Sequence, residues 1–406
     1  MACCTGLVLA ASATSSTPAG EPGVSCPSIL GVRGGHLAAY DVRGGYVKRL
    51  APVPFPHLDG VEWSADGQRW AIWGGSAAAA EASSDLVHAQ DLTSQSLLLG
   101  GIGAEPRIVP LRRFDTADWE AKEVLLVRWN RRGTELFVAC RAARARLPPS
   151  PLAFTTGATV CALTDVGGEI LAMAPVDGTI ASATVSPDDR TWILAPGGEP
   201  GAQVLRWKPP EPPRTEAWEL PLPGSAQRIV GISEVAWHPA DAQRLAVTYR
   251  LTPGDSSWTV ATIRDDGSAA MVAVRPQEAI RDVRWSPDGT YLSWIMPEVR
   301  NYRYRDHPVT IRYDVLWSAL PGYEPRVVFN IVDHIELLRP EELSSLAYGP
   351  VMEGYAWCQH GVVVLCRYAG RALLPTSALW WVPRGDSPLL LFEDPSWRGP
   401  IGTWQE

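Results

Sequence analysis

Lysine is nearly missing from this chain. Only Lys48, Lys122 and Lys208 occur in 406 residues, so arginine carries almost all the positive charge. Acidic residues outnumber basic ones, 44 to 36, for a net charge of −8. That balance argues against general nucleic-acid binding, which needs a basic surface. No run of about 20 apolar residues, the length a membrane-spanning helix needs, follows the start. H-E-x-x-H, H-x-H and cysteine–histidine metal spacings are missing. So is the G-x-S-x-G elbow of an α/β-hydrolase. None of the seven cysteines shows a C-x-x-C or zinc spacing, and buried free thiols are the default expectation. Asp306-His307 and Asp333-His334 adjoin in sequence, which does not make a catalytic dyad. These absences leave no catalytic residue, no metal and no cofactor to expect.

Tryptophan and turn residues are present in abundance. The stretch "VRWSPDGTYLSWI" (Val283 to Ile295) reads strand, tight turn, strand. Pro287 fixes φ, Asp288 can bond its own backbone, and Gly289 accepts a positive φ. The layout recurs. Trp63 begins "WSADGQRWAIWG", Trp129 "WNRRGTELFVAC", Val185 "VSPDDRTWILAP", Trp237 "WHPADAQRLAVTY", Trp285 "WSPDGTYLSWI" and Trp357 "WCQHGVVVLCRY". A seventh copy is cut short at "IGTWQE", with Trp404 two residues from the end. Starts lie 66, 56, 52, 48, 72 and 47 residues apart. A period near 50 with variable excess marks a repeat architecture whose insertions fall in loops.

The copies resemble those of the WD-repeat and TolB-type β-propeller superfamily, in which such a hairpin joins the first two strands of each four-stranded blade. The resemblance covers the chain after about residue 28. Departures are Val185 for Trp, Arg131-Arg132 for Pro-Asp, and Gln359-His360 for Pro-Asp. No copy carries the Gly-His…Trp-Asp signature of WD repeats, so the TolB type is the closer relative. The resemblance implies an all-β fold and says little about function. It makes Trp63, Trp129, Trp237, Trp285, Trp357 and Trp404 structural repeat residues, packed between blades.

The two chain ends complement each other. The C-terminus offers one strand without a hairpin partner. The N-terminus offers three strands, "SILGVRG", "HLAAYDVRG" and "YVKRLAP", without a repeat strand before them. Joined, they make one blade and close a seven-bladed propeller, removing sheet edges. Six blades is the alternative if the Val185 copy belongs to a neighbour. The expected organisation is a tether over 1–27 and a single propeller over 28–406. The tether is rich in Ser, Thr, Pro, Ala and Gly and lacks a basic leader region. One reading is an exported, envelope-associated lipoprotein anchored at Cys3 or Cys4, and the other is a cytoplasmic protein with a disordered tail. Cys140 and Cys161 are expected on adjacent strands, Cys358 and Cys366 on one hairpin.

Five insertions map to one face of the expected ring. Segments 74–85, 140–157 and 296–312 fall between second and third strands. Segments 100–123 and 332–349 fall between blades. Long loops carry function or disorder, and repeat insertions gather on binding faces. The most chemical of them is "NYRYRDH", with Tyr302, Arg303, Tyr304 and Arg305 alternating. Tyr and Arg are favoured interface residues, and the other reading is a β-ribbon extension. Arg112, Arg113 and Trp119 form a second candidate group. Arg141, Arg144 and Arg146 read as a solvated arginine-rich loop, and Arg339 to Gly349 as a short helix. "SADGQRW" and "SPDDRTW" resemble sialidase Asp-boxes but fit the propeller turn better, and the glycines 100, 101 and 103 lack a strand–helix context.

The function these residues imply is non-catalytic: a propeller that binds a protein partner through top-face loops. An enzyme at the channel mouth, acting on a small molecule or glycan, is the second reading. A ring of carboxylates or histidines at the innermost positions would favour it. A structural subunit of an envelope assembly is the third.

Overall fold

The computed structural model describes residues 28–41, 46–55, 57–75, 96–144, 158–197, 203–217, 231–250, 258–264, 269–275, 280–304, 307–319, 324–334, 350–358, 360–369, 375–385, 387–393 and 397–404. Their strands form seven four-stranded antiparallel sheets. Six sheets are consecutive in the chain. Their innermost strands are His57–Trp63, Trp119–Trp129, Thr179–Val185, Gly231–Trp237, Arg281–Trp285 and Val351–Cys358, in blades 1 to 6. Blade 7 joins the ends: Trp397–Trp404 pairs with Ser28–Arg33, followed by His36–Asp41 and Tyr46–Pro52. Innermost strands touch between blades 1 and 2, 2 and 3, 3 and 4, 4 and 5, 6 and 7, and 7 and 1, so the sheets stand in a ring. The fold is the expected seven-bladed propeller with its ends paired. The Val185 copy opens a blade of its own, which removes the six-blade alternative. The tether over 1–27 lies outside the described residues.

Trp63, Trp129, Trp237 and Trp285 each end an innermost strand, and Trp357 stands one residue before the end of its own. The Trp129 and Trp285 indoles donate to Glu62 O (3.3 Å) and Ala236 O (3.1 Å) of the preceding blade. Trp357 donates to Ser293 Oγ at 2.7 Å, also in the preceding blade. Blade 3 has Val185 at this position, and aromatic mass comes from its next two strands. Trp192 and Trp207, both about 1% exposed, pack on Phe137 of blade 2 at 5.1 and 6.1 Å between ring centroids. Cys140 and Cys161 sit on adjacent strands, in separate apolar clusters, and Cys358 and Cys366 share a hairpin. All four are buried free thiols.

The turn after the tryptophan is built by side chains. Ser64, Ser186 and Ser286 each donate to the aspartate two residues on at 2.5 Å. Each hydroxyl also accepts the amide five residues on, at 2.9, 3.0 and 2.9 Å. The divergent copies keep the logic with other chemistry. Asn130 Oδ1 accepts the amides of Thr134 and Glu135, and His238 Nδ1 those of Ala240 and Asp241. Adjacent turns also bond to each other. Gly289 O meets His238 Nε2 at 3.1 Å, Asp189 Oδ1 accepts Arg131 N at 2.8 Å, and Arg69 donates to Gly133 O.

Gly289 has φ +70°, and a β-carbon there would fall 2.3 Å from His238 Nε2. Gly289→Ala therefore meets strain and a clash together. The expected loss is about 2–3 kcal/mol in urea unfolding, and a loss below about 0.5 kcal/mol would refute the contact. Asp288 gives a pH signature. Burial raises its carboxyl, but Ser286, the Thr290 amide and Arg384 outweigh that and bring it down to about 2. Its contribution is present above the ordinary aspartate range and is lost as pH falls toward 2. The Asp288→Asn protein should lose about 1 kcal/mol near neutrality, after discounting for solvent screening, and should show a flatter acid limb. Parallel acid limbs would contradict the assignment.

Candidate functional site

The segment 296–312 is a β-ribbon. Strands Leu292–Tyr304 and His307–Ala319 pair throughout, ending with Tyr302 opposite Val309, Arg303 opposite Pro308 and Tyr304 opposite His307. The alternating Tyr, Arg, Val, Thr and Ile residues suit strands, which is why this segment pairs with itself. The inner strand of blade 5 pairs only as far as Ile295, and the outer strand only from Val315. Residues 297–304 and 307–314 thus pair with each other alone and project from the top of the blade. At its base, Asp314 Oδ2 accepts Arg281 Nη2 at 2.5 Å and Met352 N at 2.8 Å, tying the ribbon to blade 6. Farther out, Arg300 pairs with Asp333 at 3.2 Å. Arg305 lies outside the described residues.

The segment 100–123, which the repeat spacing places as one insertion between blades, is not a single insertion in the structure. Instead Arg107–Pro110 is the outermost strand of blade 1, one 3-10 turn spans Leu111–Phe114, and the innermost strand of blade 2 starts at Trp119. Apolar Ile108 and Val109, beyond a turn closed by Gly103 at φ +78°, make a fourth strand there. The group Arg112, Arg113 and Trp119 is divided accordingly. Arg112 and Arg113 line a pocket of about 190 Å³ with Arg107, Ile108, Val109, Pro110, Gly167 and Gly168. Trp119 does not line it and lies under the Arg144 guanidinium, 5.5 Å away. Arg141 and Arg144 belong to strand Glu135–Arg144, and Arg141 pairs with Glu123 at 2.9 Å. Arg146, most of 74–85 and the helix expected over 339–349 fall outside the described residues.

Charged side chains gather on the innermost strands, a feature that no single repeat shows. One position before the repeat tryptophans stand Glu62, Arg128 and Arg284, and three before stand Glu234 and Asp282. Arg128 Nη1 meets Glu62 Oε2 at 2.9 Å, and Arg284 Nε meets Asp282 Oδ1 at 2.6 Å. Glu234 accepts the amides of Asp282 and Val283 at 2.7 and 2.6 Å. Arg284 lies over the Tyr355 ring at 5.4 Å, and the Tyr355 hydroxyl donates to Asp282 O at 2.6 Å. Five innermost strands contribute. Glu62 of blade 1 feels Arg284 of blade 5, and Glu234 of blade 4 feels Arg128 of blade 2. Those blades are not neighbours, so the coupling crosses the channel.

Burial sets the electrostatics. It pushes the Glu62 carboxyl up against the pull of Arg128 and Arg284. It also pushes Glu234 up against its two amide donors. Burial opposes the Arg284 charge, yet Asp282, Tyr355 and Glu62 hold that guanidinium above its usual range. Aligning the copies on their tryptophans and reading one and three places upstream was the available signal. Ion pairs and amides occupy the carboxylates, so the cluster braces the bore, and burial raises the carboxyls of Glu62 and Glu234 within it.

Against known proteins the likeness is one of fold. No protein-family model matches the chain, and no curated protein matches it significantly. Solved structures do. An acylaminoacyl peptidase of Pyrococcus horikoshii has TM-score 0.53 at 10% identity over 88% of this chain. This chain spans 47% of that peptidase, about half its length. The propeller domain of the trilobed protease of Pyrococcus furiosus, described as having an open velcro topology, has TM-score 0.50 at 8% identity, covering 88% and 89% of the two chains. Here the terminal strands are paired instead. The periplasmic gluconolactonase of Pseudomonas aeruginosa has TM-score 0.50 at 13% identity, covering 93% and 99%. At these identities the likeness establishes the propeller and leaves its role to the residues.

Arg284→Ala would leave Asp282 without its paired cation and remove the second of the two guanidiniums that act on Glu62. Partial exposure, 38% for the Arg284 side chain and 22% and 21% for Asp282 and Glu62, softens the cost, so we expect a loss of about 1–3 kcal/mol at neutral pH. A raised carboxyl weighs on the folded state most above its own pKa, and that burden fades as pH falls toward the ordinary carboxylate range. The deficit of the variant should therefore shrink near about pH 5, read by denaturant unfolding at both pH values. An equal deficit at both would show that the guanidinium acts by packing alone.

Proposed function

We propose that this chain is a non-catalytic, TolB-like propeller that docks a protein partner on its top face, with the blade 5 ribbon as the principal contact. The ribbon carries the reading. It is the one described segment that leaves its blade by eight residue pairs, from Pro297–Asp314 to Tyr304–His307. A two-stranded hairpin standing alone is marginal in water, so the extension gains most when something packs on it. Tyr302, Arg303, Tyr304 and Arg305 at its end are residue types that dominate binding energy at interfaces. The net charge of −8 disfavours a nucleic acid as that partner. An exported location suits the tether read over 1–27 and the fold likeness to a periplasmic protein.

A second reading draws on the bore. Glu62 and Glu234 are carboxyls pushed toward the protonated form in a channel lined by several blades. That is the pattern expected of an acid catalyst serving a small polar substrate.

The test is affinity capture from native envelope and soluble fractions. Wild type is compared with a variant carrying Ala at Tyr302, Arg303, Tyr304 and Arg305. These substitutions should leave stability within about 0.5 kcal/mol. A defined partner held by wild type should lose at least tenfold in affinity for the variant when both are purified. Equal affinity would sink the ribbon as the site and direct attention to small-molecule screening against Glu62→Gln.

A further inference from the structure

We propose that the outer-rim pocket between blades 1 and 2 docks an extended acidic segment of a partner protein, which adds as a strand to the free edge of Arg107–Pro110. This site is separate from the ribbon and does not rest on it. Arg107–Pro110 is the outermost strand of blade 1 and pairs only on its inner side, with Ser96–Leu99. Such an edge offers main-chain donors and acceptors to an added strand. The Gly167–Gly168 turn of blade 2 forms the opposite wall. Gly168 has φ +78°, and a β-carbon there would fall 2.5 Å from Val109 Cγ2, so glycine lets the two walls close up.

The chemistry of the walls specifies the occupant. Arg107, Arg112 and Arg113 line the pocket in a chain that is otherwise acidic. Two carboxylates answer them. Asp165 is committed to its own turn, where Oδ1 accepts the amides of Gly167 and Glu169, both at 2.8 Å. Glu169 sits 3.5 Å from Arg107 and 3.2 Å from Arg113, with 59% of its side chain exposed. Two guanidiniums already converge on one solvent-exposed carboxylate, which shows the geometry fits that group. Exposed pairs of this kind are weak and exchange readily. Arg112 has no acidic partner among the described residues. Ile108 lines the pocket with these cations at 57% exposure, and Val166, next in the chain to the Gly167–Gly168 wall, is 43% exposed. A strand alternating acidic and apolar residues matches both, its carboxylates meeting the arginines by charge-assisted bonds.

The experiment uses the full chain and a fluorescent nine-residue peptide alternating glutamate and valine, read by anisotropy, with a lysine–valine peptide as control. The glutamate peptide should bind and the lysine peptide should not. The Arg112→Ala/Arg113→Ala protein should bind at least tenfold more weakly. It should still fold, because Leu111 and Phe114 carry the burial of that turn. Glu169→Gln should tighten binding severalfold by releasing Arg107 and Arg113, an increase that a merely structural role would not produce. Saturating peptide should slow amide hydrogen exchange at 107–109. Equal binding by all three proteins, binding of the lysine peptide, or unchanged exchange at 107–109 would each overturn the proposal. So would full displacement by millimolar inorganic phosphate, which would mark a small-anion site instead.

Discussion

The pairing of Trp397–Trp404 with Ser28–Arg33 is the contact on which the rest of the ring depends. It ties the last strand to the first and makes blade 7 a wedge. Ile29 packs with Leu365 and Leu379 of blade 6, while Val32, Leu37 and Ala51 pack with Val61, Trp70 and Ile72 of blade 1. Without the closing strand, blade 7 would lose its place at the bore, and apolar faces on both neighbours would meet water. An unpaired edge would then invite other chains. Because every blade buries both faces against its neighbours, loss at the seam propagates around the ring.

The ring treats its two ends differently, and hydrogen bonding explains why. On the side of the tryptophan turns, a Ser, Asn or His hydroxyl, amide or imidazole holds the turn closed, and turn bonds to turn across blade boundaries. Lengthening one of these turns would break two sets of contacts. On the other side, chain can be added without touching that network, and blade 5 adds its ribbon there. The ribbon is still anchored. Asp314 is shared by the Arg281 guanidinium of its own blade and the Met352 amide of the next. A projecting element on a rigid base is the geometry that presents a binding surface without conformational cost to the scaffold.

Much of this was legible in the sequence because it is periodic. The recurring tryptophan, the turn residues after it and the complementary ends defined the blades and their closure. The reading failed where periodicity is weak. The strand Arg107–Pro110 is four residues long and follows a glycine-rich turn, so nothing local separated it from a loop. The 296–312 segment shows strand-like alternation, yet only the register revealed how far it pairs. The charged bore was invisible for another reason. Glu62, Arg128 and Arg284 come from three blades, and one chain position says nothing about what faces it across a channel.

The bore also accounts for the alternation within the innermost strands. The tryptophan and the residue two before it (Val61, Val127, Val235, Val283) face between blades, and all four valines are buried. The residue one before it takes the other face, by the two-residue period of a strand, while Asp282, three before Trp285, sits in a register break at φ 59°. Charge is tolerated there because the bore supplies countercharges from several directions. Glu234 puts both oxygens on blade 5 amides, as Ser182 accepts the Val235 amide of blade 4 at 3.3 Å. Polar residues in these places therefore join one blade to the next while tryptophan fills the boundary behind them. The cations in this setting are arginines, which keep their charge where a buried lysine would give up its proton. Arg284 pairs directly with Asp282 and also draws on Glu62, whose own partner is Arg128, so a neutral side chain at position 284 would leave Asp282 without its cation and set the charge of Glu62 against it.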